Sequence, residues 1–107
     1  MRAVFITIFC SLLMVSNSQS GEHKPHRLHT IEIKGFEFVP AHVKLSRGDR
    51  VLWINRDSIP HNIVNRKNDK TLSPTLSKGD EFSAIIIEDM DYACGFHPSM
   101  LGDIKLK

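Results

Sequence analysis

From Thr30 onward, apolar and polar residues alternate over short runs, which is the period of a β-strand with one buried face. Ile31 and Ile33 fall on one face of such a run, and Val43 and Leu45 fall on one face of another. Similar runs occupy residues 51–54, 84–87, 91–94 and 103–107. Because no run after residue 20 sustains the 3.6-residue period of a helix, the pattern predicts an all-β domain.

Residues that favour turns separate the runs. The segment Ser46–Asp49 resembles Ser77–Asp80, and each contains a Gly-Asp pair, which predicts two similar hairpin turns. Many short strands with regular turns are typical of an antiparallel sandwich or barrel. Five aromatic residues are assigned to the core of that domain: Phe36, Phe38, Trp53, Phe82 and Tyr92.

The first twenty residues have the layout of a secretory signal peptide. Arg2 gives a positive start, residues 3–15 are almost entirely apolar, and residues 16–20 are small or polar. The apolar run of about thirteen residues is too short to span a bilayer. We therefore predict a signal peptide at 1–20 and a periplasmic or otherwise extracytoplasmic location. A flexible arm with three histidines follows at 21–29, and the folded domain occupies 30–107.

Charge and cysteine content narrow the function further. The chain has 14 Lys and Arg residues against 12 Asp and Glu residues, a near balance that argues against a nucleic-acid binder. Signal cleavage removes Cys10 and leaves Cys94 as a lone cysteine. In an oxidising compartment, a lone cysteine is buried and inert, pairs with another chain, or binds a metal.

Cys94 belongs to a segment in which Cys94, His97 and Met100 recur every three residues. A thiolate is a soft ligand, an imidazole is borderline and a thioether binds weakly. With a second imidazole they form the trigonal site with a weak axial methionine that holds copper in either oxidation state. His61, which follows the turn at Pro60 and opens a strand-like run, is the predicted second imidazole.

Four motifs carry a family resemblance, and they extend over the whole predicted domain. They are Phe38-x-Pro40-x-x-Val43, Gly48-Asp49-x-Val51-x-Trp53-x-Asn55-x-Asp57, Pro60-His61-Asn62 and the loop from Cys94 to Met100. In order and spacing they resemble the cupredoxins, the type 1 blue copper proteins. The short ligand loop is similar to that of amicyanins, whereas plastocyanins and pseudoazurins have longer loops.

The resemblance implies a Greek-key β-sandwich of about seven or eight strands with one copper near one end. It implies His61, Cys94, His97 and Met100 as copper ligands and Asn62 as a residue that ties the two ligand segments together. It also implies a monomer that shuttles single electrons between transient redox partners docking on an apolar surface near His97. No nucleic-acid partner and no membrane insertion after signal cleavage are expected.

Three other functions compete with electron transfer. A copper-binding or copper-delivery protein would use the histidines of the arm 21–29. A copper enzyme would need further histidines, commonly as His-x-His pairs, and the sequence has none, so no enzymatic activity is expected. Zinc held by Cys94 and histidines is the third.

Overall fold

The structure is a computed structural model that describes residues 26–107. The predicted signal peptide and most of the predicted arm lie outside the described residues. The described residues form eight β-strands, which are β1 (Leu28–Lys34), β2 (Glu37–Val39), β3 (His42–Leu45), β4 (Arg50–Asn55), β5 (Val64–Asn65), β6 (Glu81–Ile85), β7 (Met90–Ala93) and β8 (Leu101–Leu106). None of residues 26–107 belongs to a helix long and apolar enough to cross a bilayer.

The strands form two four-stranded sheets, ordered β2-β1-β4-β6 and β3-β8-β7-β5. The predicted all-β sandwich is therefore confirmed. Its strand pairs are not all antiparallel, because β1 lies parallel to β4 and β3 lies parallel to β8. The chain leaves the first sheet after β2, places β3 in the second sheet and returns with β4 beside β1, so that β1 and β4 run in the same direction.

Alternate residues of the strands fill the space between the sheets. Ile31, Trp53, Tyr92 and Ile104 come from four different strands and are all 0% exposed. Burying side chains of this size stabilises the fold by about 1.5 to 3 kcal/mol each. Trp53 and Tyr92 meet edge to face with their ring centroids 5.5 Å apart, as aromatic pairs prefer. The assignment of four of the five aromatic residues to the core agrees with the structure, and Phe36 is the exception.

Strand β1 begins at Leu28, within the segment 21–29. Leu28 and His29 already belong to β1, where they pair with Arg50 and Val51 of β4. His29 Nε2 also lies 2.9 Å from a carboxylate oxygen of Asp49. These contacts draw the end of the predicted arm into the sheet.

Candidate metal centre

Three segments that are distant in sequence meet at one end of the sandwich. They are the turn at residues 35–36 between β1 and β2, the segment 56–62 after β4, and the loop 94–100 between β7 and β8. Since β1 and β4 are parallel, their carboxyl ends lie at the same end of the sandwich. All four predicted ligands are in the last two segments.

The loop that carries three of these ligands is a closed hairpin loop. Ala93 and Leu101 form the last strand pair before it. Inside it, the Cys94 N–H donates to the Met100 carbonyl at 3.3 Å, and the Met100 N–H donates to the His97 carbonyl at 2.9 Å. Cys94 and Met100 are buried at 1% and 4% exposure, whereas His97 is only partly buried. The loop therefore places two sulfur donors inside and one imidazole at the surface.

His61 is fixed in position by its backbone and by Asn55. It pairs with Leu76, with hydrogen bonds of 3.1 and 2.7 Å in the two directions. The buried Asn55 amide donates to the carbonyls of Ile59 and Leu76 and accepts from the Asp57 N–H. These bonds hold the segment 56–60 against the sandwich, and they bring His61 to 0% exposure.

The two nitrogens of His61 have different neighbours. Nδ1 lies 3.7 Å from the sulfur of Cys94, and Nε2 lies 2.9 Å from a carboxylate oxygen of Asp57. Because a carboxylate accepts hydrogen bonds, we assign the imidazole proton to Nε2, which leaves the Nδ1 lone pair directed at the position that Cys94 also faces. A carboxylate partner on the second nitrogen is a common way to fix the tautomer and orientation of a metal-binding histidine.

Asp57 is held as a carboxylate by its surroundings. Burial pushes its pKa upward, but hydrogen bonds from the Phe36 N–H, His61 and the Gly35 N–H outweigh that effect, so the pKa of Asp57 lies below its usual range. Asp57 therefore acts as a charged acceptor for the buried histidine.

Asn62 joins the two ligand-bearing segments, as the family resemblance implies. Its side-chain oxygen accepts a hydrogen bond of 2.7 Å from the Gly95 N–H and lies 3.8 Å from the Cys94 sulfur. This contact connects residues 33 positions apart in the chain. It sets the spacing between His61 and Cys94.

Phe36 is part of the site, which corrects its assignment to the core. It lies at the tip of the β1–β2 hairpin and is 47% exposed. Its ring meets the His61 ring edge to face at 5.5 Å and the His97 ring edge to face at 5.0 Å. The His61 and His97 rings are themselves 5.2 Å apart. A hairpin with a two-residue turn carries its tip beyond the sheet, where alternation along a strand no longer predicts burial.

The donors fit a metal that prefers sulfur and imidazole. With bond lengths of about 2.3 Å to sulfur and 2.0 Å to nitrogen, two ligands of one ion lie roughly 3.5 to 3.7 Å apart at tetrahedral to trigonal angles. The separation of 3.7 Å between Cys94 Sγ and His61 Nδ1 matches that range. Within residues 26–107, no three His, Cys, Asp or Glu side chains are close enough together to hold a metal by themselves. The fold thus brings His61 and Cys94 into contact, and His97 joins them through the contact of its ring with the His61 ring.

The two-sheet fold and this sulfur and imidazole site define a class of small copper proteins. A family model for copper binding proteins of the plastocyanin/azurin family matches residues 25–107. The chain belongs to that family, and its cofactor is one copper.

Amicyanins are among its relatives. Amicyanin from Paracoccus denitrificans is 35% identical over 78 residues, a match that covers 67% of this chain and 58% of the amicyanin. The matched part thus spans little more than half of that relative. The solved structure of a reduced amicyanin mutant superposes with a TM-score of 0.68 at 28% identity and covers 74% of this chain and 81% of the other. The Cu(I) form of a second amicyanin mutant gives a TM-score of 0.69 at 26% identity, with coverages of 75% and 82%.

Proposed function

We propose that this chain is an electron carrier whose copper is held by His61, Cys94, His97 and Met100. The observation that carries the proposal is the contact of 3.7 Å between Cys94 Sγ and His61 Nδ1, made by side chains that are 1% and 0% exposed. A buried thiolate beside an imidazole, with a buried thioether in the same loop, is the donor set of blue copper sites.

Copper in such a site cycles between Cu(I) and Cu(II) and so supplies single-electron chemistry. The protein contributes a fixed arrangement of donors. Asp57 orients His61, Asn62 fixes the ligand loop through Gly95, and the loop's own hydrogen bonds hold Met100. A site that is held in place in this way changes little between oxidation states, which favours rapid electron transfer. The proposed role is that of a carrier and not of an enzyme.

The surface around His97 supports brief docking of redox partners. His97 is partly exposed, and Phe96, Ile59 and Phe36 are exposed apolar residues of the same three segments, at 51%, 40% and 47%. Apolar surface beside an exposed ligand suits transient contacts, in which the electron passes through the imidazole edge. We propose a monomer that meets its partners on this surface, in the periplasm or another extracytoplasmic compartment reached with the signal peptide at 1–20.

Voltammetry of the copper-loaded protein tests the proposal. An electron carrier is expected to give a reversible one-electron wave and to keep its copper through repeated oxidation and reduction. His97→Gly should disturb that wave, whereas His42→Gly should leave it unchanged. His42 is a matched control because it is an exposed histidine on β3 whose side chain bonds to Asp103. Copper that leaves the protein during each cycle, or that passes to an acceptor only as Cu(I), would favour copper delivery instead.

A further inference from the structure

The turn that joins β1 to β2 has an unusual backbone. Gly35 and Phe36 both lie in the left-handed region, with φ of 63° and 60°. Two-residue hairpin turns with both φ values positive match the twist of the flanking strands, but they favour Gly, Asn and Asp. For a bulky residue such as phenylalanine this conformation is an outlier, and such strain persists only where surrounding contacts impose it.

The contacts that impose it come from Asp57. One carboxylate oxygen accepts the Gly35 N–H at 2.7 Å, and the other accepts the Phe36 N–H at 3.0 Å. The second oxygen also lies 2.9 Å from His61 Nε2. A single side chain therefore binds both residues of the strained turn and the histidine that faces Cys94.

A further hydrogen bond joins the β1–β2 hairpin to the segment that precedes His61. The Arg56 N–H, next to Asp57, donates to the Ile33 carbonyl near the end of β1 at 2.8 Å. The Arg56 side chain also contacts Glu32 at 3.1 Å. The hairpin and the segment before His61 thus form one connected unit.

The aromatic rings of Phe36, His61 and His97 contact one another in pairs beside Cys94. The Phe36 edge-to-face contacts with His61 and His97 have interplanar angles of 88° and 86°. A phenyl ring that touches both imidazoles restricts the rotation of both. Phe36 achieves this while 47% of its surface remains exposed, so the protein core does not require the ring there.

We propose that Asp57 and Phe36 form a positioning unit in which Asp57 seats the strained turn and Phe36 holds the imidazoles of His61 and His97 in the orientation that copper requires. The inference rests on the proposed function for its metal. The unit itself is built from contacts between protein groups. It slows copper loss, because a ligand that cannot rotate away rebinds before the metal escapes.

The first test uses copper-free protein. Amide hydrogen exchange at Gly35 and Phe36 is measured by NMR in the wild type and in Asp57→Asn, which has one acceptor oxygen in place of two. Asp89→Asn is the matched control, since Asp89 also accepts a backbone hydrogen bond, from the Leu106 N–H at 2.8 Å. Asp89 comes just before β7, whereas Cys94 follows β7, so the control lies at the other end of this strand. Exchange at the two turn amides should become at least several-fold faster in Asp57→Asn alone. Equal exchange in Asp57→Asn and the wild type would overturn the role of Asp57.

The second test measures the rate at which loaded protein loses Cu(I) to a strong chelator. Phe36→Ala should lose copper about tenfold faster, the scale typical of residues that support metal ligands. Phe36→Tyr, which keeps the ring, should restore the wild-type rate. Phe36→Gly removes the ring and relieves the strain, so it should behave like Phe36→Ala if the ring contact is what matters.

Wild-type copper loss in Phe36→Ala and Phe36→Gly would overturn the role of Phe36. If the wild-type protein took up no copper, the proposed function would fail, while the hydrogen-exchange result on copper-free protein would still decide the role of Asp57.

Discussion

Met100 is the proposed ligand whose contribution is most easily separated from copper affinity. It is 4% exposed, and its N–H is bonded to the His97 carbonyl, so the loop geometry does not depend on its side chain alone. A weak axial thioether stabilises Cu(I) relative to a harder oxygen donor, and the axial ligand tunes the potential of such sites.

We therefore expect Met100→Gln to lower the reduction potential and Met100→Leu to raise it, because removing the donor disfavours the more highly charged Cu(II). A shift of about 59 mV corresponds to a tenfold change in the relative affinity for the two oxidation states. Both variants should keep copper through His61, Cys94 and His97. Voltammetry measures the shifts, and unchanged potentials in both would make Met100 a packing residue.

The predicted copper ligands could be chosen from the chemistry and the spacing of single residues. The regular spacing of Cys94, His97 and Met100 pointed to one site, and His61 is the histidine that the structure brings next to Cys94. The roles of Asp57 and Phe36 could not be predicted in this way. These roles depend on a hydrogen bond between Phe36 and Asp57, which are 21 positions apart in the chain. They also depend on a backbone conformation that phenylalanine rarely adopts.

Among the secondary-structure elements, the two segments predicted as hairpin turns share one turn structure, but neither is a hairpin turn. The first joins β3 of one sheet to β4 of the other, and the second leads into β6, which pairs with β4 and not with the preceding strand β5. In each, the aspartate N–H donates to the carbonyl of the serine three residues earlier, and the aspartate side chain accepts the N–H of that serine. Gly48 and Gly79 have φ of 95° and 90°, which glycine adopts without strain. Local turn chemistry was therefore sufficient to predict the conformation of these turns, but the prediction that each connects two paired strands was wrong.

The end of β6 was predicted less well. The run 84–87 alternates as a strand should, with Ile86 buried between the exposed Ile85 and Ile87. The strand nevertheless ends at Ile85. The Ile86 N–H and carbonyl bond instead to the Asp49 carbonyl and the Gly48 N–H of the β3–β4 turn. An apolar pattern reports burial, and it does not report which backbone partner a residue finds.

Asp49 links that turn to the start of β1, and this link predicts an effect of pH on stability. Its pKa lies far below the usual range because the Arg27 N–H, His29 and the Ser46 N–H all contact its carboxylate. Above pH about 4 the carboxylate is ionised in both folded and unfolded chains, and its stabilisation is fully present. As pH falls further, the unfolded chain binds the proton first, so stability is lost.

Asp49→Asn should therefore flatten the fall in the free energy of unfolding below pH about 4. Asp80→Asn is the matched control, since Asp80 occupies the same position in the second turn but is exposed. It accepts the Ser77 N–H, and no histidine among residues 26–107 bonds to it. Urea unfolding of copper-free protein at several acid pH values measures the effect. The same acid dependence in Asp49→Asn and the wild type would contradict the assignment.

At the scale of the whole molecule, the sequence predicted a β-sandwich but not the order of its strands. Which strands become neighbours depends on the crossing of β3 to the second sheet, and this crossing makes β1 and β4 parallel. That parallel pair places the hairpin tip at residues 35–36 beside the segment that leads to His61. The topology thus creates the contacts between Phe36 and the two histidines, which no local pattern contains.

The proposed function requires the thiolate of Cys94 to bind the copper of this domain together with His61. The most direct measurement is the absorption spectrum of the protein after Cu(II) is added, for the wild type and for Cys94→Ser. The wild type should show an intense blue sulfur-to-copper charge-transfer band, because a short copper–thiolate bond mixes the orbitals of the two atoms strongly. Cys94→Ser should remove the band. A wild type that binds Cu(II) without colour, or a Cys94→Ser variant that stays intensely blue, would contradict the claim.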